Sequence, residues 1–70
     1  MRKRDELADP ASCLNKARDD EDIFVLLARD KSAAFAVYSW ANHRVITGKN
    51  RHDDAQIQSA LEWARRVENG

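Results

Sequence analysis

Apolar residues along this chain fall into stretches of different period, and each period predicts a different element. Near the C-terminus, Ile57, Ala60, Leu61, Ala64 and Val67 recur at spacings of three and four, the stripe of an amphipathic helix. Asp53 suits its N-cap, with Gln56 three residues on at a capping-box spacing. Upstream, a second helix is expected from Asp30, through Ser32 and a run of alanines, to Ile46 or Thr47, where Gly48 stops it. Its large side chains, Phe35, Val37, Tyr38, Trp40, Val45 and Ile46, spread around far more than one stripe. A helix of that kind is central, or buries its second face against another subunit. That face predicts a homodimer.

The run Ile23-Phe24-Val25-Leu26-Leu27-Ala28 shows neither period, because every position is apolar. Two arguments favour a helix: Asp19-Asp20-Glu21-Asp22 sits where a helix N-terminus welcomes negative charge, and the chain holds no second strand candidate. The alternative is a strand over residues 23–28 that pairs across a dimer. Asp9-Pro10 punctuates the chain before a short helix over roughly Pro10 to Arg18, with Cys13, Leu14 and Ala17 on one side. Residues 1–8 alternate charges with little apolar content and read as a flexible tail. The expected fold is therefore all-α, a single helical domain over 9–70. It is a small bundle of three principal helices with a short leading fourth.

Length and composition narrow the classes. Seventy residues suit one domain, and no apolar run approaches the roughly 20 residues of a spanning helix. The start, Met1-Arg2-Lys3-Arg4-Asp5-Glu6, lacks the apolar core of a secretory signal, so a cytoplasmic protein without a membrane partner is expected. Cys13 is alone, which leaves no internal disulfide, and one Cys with two His fits no usual zinc spacing. Neither a metal nor another cofactor is expected. A core without staples is marginal at this length, and self-association would help it.

Twelve basic residues balance twelve acidic ones, but the charges are segregated. Between Asp30 and Asp53 there is no acid, while Lys31, Arg44, Lys49 and Arg51 are cationic and His43 and His52 can join them. Arg44, Lys49, Arg51 and His52, with Arg65 if the last helix folds back, form a candidate anion site. The simpler reading is a set of solvated side chains around a helix connection. A helix-turn-helix reading fails on two counts: the connection is longer than the usual three or four residues, and the second helix opens with Asp53-Asp54, which would repel phosphates. DNA is thus a distant third as a ligand.

Catalysis has less support. Cys13 beside Leu14 reads as a small core hydrophobe, with no local signature tying it to either histidine. The acidic group lacks the alternating ligands and glycine of a calcium loop, and helix capping explains it. Phe35, Tyr38 and Trp40 are candidate interface residues, and Trp63 is expected in the core.

From Cys13 onward the chain resembles a loose group of small phage- and prophage-encoded proteins. The residues that carry the likeness are Cys13-Leu14, Lys16-Ala17, Asp20 through Asp30, Trp40-Ala41 and Ala60-Leu61-Glu62-Trp63. Members of the group often carry proline where Asp22 and Lys31 stand, so this chain starts its helices more by charge. The resemblance implies an accessory protein acting in the host cytoplasm and brings no catalytic residue. The function expected is binding of a host or defence protein rather than catalysis. The alternative is sequestration of a nucleotide or other anionic small ligand at the basic linker.

Overall fold

A computed structural model describes all residues, Met1–Gly70. It contains four helices and no strand: α1 Lys3–Ala8, α2 Cys13–Lys16, α3 Ser32–Ile46 and α4 Ala55–Asn69. The all-α class holds, but the architecture is two helix pairs joined by an extended strap. α3 packs on α4 and α1 on α2, while the helices of one pair make no packing contact with those of the other.

The α3–α4 pair is dictated by small residues at a helical period. Ala33, Ala34 and Ala41 of α3 and Ile57, Ala60, Ala64 and Val67 of α4 are buried. Alanines at the seam let the two axes approach closely, and Val37, Tyr38 and Trp63 pack around Ala34, Ala64 and Val67. The turn between the helices is a Schellman motif: Lys49 N–H donates to the Arg44 carbonyl (3.0 Å) and Gly48 N–H to the Val45 carbonyl (3.1 Å). Gly48 adopts φ +76°, the left-handed region where glycine carries no Cβ penalty.

At the start of α4 the cap position belongs to Asp54, one residue later than the sequence suggests. Its Oδ2 accepts from Arg51 N–H (2.9 Å) and Asn50 Nδ2 (3.0 Å), and Gln56 Oε1 also turns to Asn50 (3.2 Å). The expected Asp53/Gln56 capping box does not form because Asn50 claims these groups for the linker.

Residues 1–8, expected as a tail, contain α1. The short second helix is capped by Ser12 rather than Asp9. Buried Ser12 donates to the Glu6 carbonyl (2.6 Å) and accepts from Asn15 N–H (3.2 Å). Asn15 Nδ2 contacts the carbonyls of Glu6, Leu7 and Asp9 at 2.8–2.9 Å, so one amide ties α2 to the end of α1.

The largest departure lies at residues 23–28, which form no helix: 23–27 run on as an extended strap without turn or bend, and Ala28 enters the turn that Asp30 N–H closes on the Leu27 carbonyl (3.0 Å). The preceding acids close a turn instead of opening a helix: Glu21 N–H donates to the Arg18 carbonyl (3.0 Å), and Glu21 Oε1 accepts from Arg18 N–H (2.9 Å). The β-branched and aromatic Ile23-Phe24-Val25 then follow their preference for extended backbone. Leu26 and Leu27 line a cleft with Met1, Trp63, Arg66 and Val67, so strap and N-terminus bridge the two helix pairs.

Only eight residues are buried, and the accessible surface is 5840 Å². A compact monomer of this 8.0 kDa mass exposes roughly 4,450 Å². The radius of gyration, 12.7 Å, likewise exceeds the roughly 11 Å of a compact chain of this length.

Candidate interaction surface

α3 turns Ala34, Val37, Ala41 and Val45 toward α4, with Ala33 also buried and Tyr38 half-buried beside them, while Phe35, Ala36, Ser39, Trp40, Asn42, His43 and Ile46 are exposed. With about 100° per residue, Phe35 and Ile46 fall at one edge of the outward arc, and Trp40 and Arg44 at the other. His43 and Ala36 lie between them. Phe35 is 63% exposed and Ile46 73%. The Arg44 guanidinium lies 5.6 Å from the Trp40 ring centroid, within cation–π range. Arg44 Nε also donates to Asn50 Oδ1 at 2.6 Å, which fixes the guanidinium on the ring from the linker side.

No acid lies within α3, whose last turn carries His43 and Arg44, while Asp30 caps Ser32 N–H (3.0 Å) at its start beside Lys31. Tyr38, grouped with Phe35 and Trp40 in the sequence, faces away from them: its hydroxyl donates to Glu68 Oε2 on α4 (3.0 Å). Desolvation, reinforced by the Glu68 bond, raises its pKa above the ordinary phenol value. The spare face also lacks a continuous apolar stripe. Phe35 and Ile46 stand eleven residues apart, and Ser39 and Asn42 fall between them.

The five cations of the candidate anion site have different partners. Arg44 is held by Asn50, and Arg51 pairs with Asp53 (3.4 Å) on exposed side chains. Lys49 is exposed, and His52 lines an apolar groove of about 450 Å³ with Tyr38, Val45, Ile57 and Leu61. Arg65 belongs to the other end of α4, near Tyr38. It stands ten residues past Ala55, about 15 Å along the axis. Asp54 brings negative charge into the linker itself, its pKa lowered by the Arg51 N–H and the Asn50 amide.

Cys13 is exposed rather than part of the core, because α2 is a single turn with nothing packed over that side. Trp63 packs half-buried against the α3–α4 seam, as expected of a core tryptophan. No helix is long and apolar enough to cross a membrane. The surface that the preferred helical reading of residues 23–28 hid, and that only its strand alternative left open, is the strap, where Phe24 is 87% exposed and Val25 65%. Its signal was present in the β-branched residues, which the acidic prefix outweighed. Comparison with protein-family models, curated proteins and solved structures finds no match.

Proposed function

We propose that this chain is a small phage-type accessory protein that binds a host or defence protein in the bacterial cytoplasm, and that it docks through the outward arc of α3. The observation that carries this reading is the Trp40–Arg44 pair, with exposed Phe35 and Ile46 at the opposite edge of the arc on a helix that bears no acid. Tryptophan and arginine dominate binding hot spots because they bury large area and still offer directional polar contacts. Asn50 fixes the Arg44 head, which lowers the ordering cost of docking. An acid-free arc suits a partner surface whose rim is acidic.

The test is capture from a host lysate with the immobilised full chain. The wild type should retain one specific protein, and Trp40→Ala with Phe35→Ala should weaken retention at least tenfold while helicity is unchanged. Equal retention by both chains would remove α3 from the binding surface. Sequestration of an anion at the linker draws less support, since two of its five cations are engaged within the chain and Arg65 lies apart. A panel of nucleotides should accordingly leave the melting temperature where it is; a rise abolished by Arg51→Ala would favour sequestration instead.

A further inference from the structure

We infer that the extended strap, residues 22–27, is a self-recognition strand that pairs antiparallel with the strap of a second copy of this chain. The first support is the backbone. Residues 22–26 neither donate nor accept a backbone hydrogen bond within the chain, so a row of amide and carbonyl groups is free along an extended, apolar segment. An open edge of this kind is a ready template for another strand.

Charge at the two ends selects the partner and its direction. Asp19-Asp20-Glu21-Asp22 precedes the apolar run, and Arg29 and Lys31 follow it. In an antiparallel pair centred on Val25, the acidic turn before each strap comes beside the Arg29 and Lys31 end of the other copy, both charged groups lying in the turns that flank the paired segment. A parallel pair would stack the four acids on four acids, which cross-strand repulsion opposes. The strap therefore carries its own complement, and a two-fold pair joins one edge of each strap and leaves only short outer edges open.

Surface area agrees with an unfinished fold. The chain exposes about 1,400 Å² more than a compact monomer of its mass, comfortably above the roughly 800 Å² that each partner of a standard interface buries. The strap also borders an apolar groove of about 510 Å³ lined by Met1, Cys13 and Leu14, so the second strand would be seated beside apolar surface rather than in water alone. The docking arc of α3 lies outside this pairing surface, and the two readings stand independently.

Sedimentation of the full chain should show a dimer that Val25→Lys converts to monomer with its helicity intact, since Val25 touches no part of the helical core. In a Cys13→Ser background, Val25→Cys should form a covalent dimer under mild oxidation. Lys31→Glu suits a helix start, so the fold stands; it should weaken dimerisation about tenfold by bringing an acid beside the partner's acidic turn, and adding Asp19→Lys should restore it. A monomer at several hundred micromolar, or a dimer indifferent to Val25→Lys, would overturn the proposal. So would a failure of Asp19→Lys to rescue. Capture of a host protein by monomeric Val25→Lys would separate this result from the fate of the α3 surface.

Discussion

Gly48 is the residue whose backbone most constrains its identity. A Cβ there meets nothing within 4 Å, so the whole cost of a substitution comes from φ +76° and none from crowding. Gly48→Ala should lower stability by about 1 kcal/mol, read from urea unfolding, without changing the helical content. Asp54 makes the corresponding argument for charge. Its folded pKa is lowered by the Arg51 N–H and the Asn50 amide, so the unfolded chain takes up the proton at higher pH than the folded one. The stabilisation is thus present above the ordinary carboxylate range and is lost as pH falls through the folded value. Melting curves of wild type and Asp54→Ala should begin to approach each other below about pH 4 and converge only once the pH has passed below the lowered folded value. Gly48 was legible in the sequence because one backbone geometry demands one residue. Cys13 and Tyr38 were not, since their exposure depends on which neighbours arrive, and neither α2 nor the Glu68 bond is written in local spacing.

At the scale of elements, α4 and α3 were legible and the strap was not, for a common reason. A stripe at helical period, as in Ile57, Ala60, Ala64 and Val67, names both the element and its buried face. The six apolar residues from Ile23 carry no period, so the preceding acids decided the reading, and the turn closed by Glu21 diverted them. The α3–α4 seam depends on one large fully buried side chain. Ile57 is 1% exposed, and everything else buried along the seam is alanine or Val67. Ile57→Ala should therefore cost about 2–5 kcal/mol, a large share of what so small a domain possesses, and the chemical-denaturation midpoint is the measurement. Overpacking tests the same seam from the other side: Ala64→Leu should destabilise by about 1–3 kcal/mol because the helices would have to separate.

The molecule as a whole is two helix pairs held by a strap, and its stability should be distributed accordingly. The α3–α4 pair contains every buried apolar residue, whereas the α1–α2 pair contributes only Ser12 and is held by the Ser12 and Asn15 hydrogen bonds. A unit joined by a few polar bonds at the surface opens more readily than one joined by packing. Amide hydrogen exchange should find slow protons in the middle of α3 and α4, and fast ones throughout α1, α2 and the strap when the chain is monomeric. Self-pairing changes that forecast in one place. Pairing would bond alternate amides of residues 22–26 across the two copies, so raising protein concentration should slow exchange at those alternate positions while leaving α1 fast. Exchange that is fast along the strap at every concentration would mean that the extra exposed surface is met by another molecule, or by none.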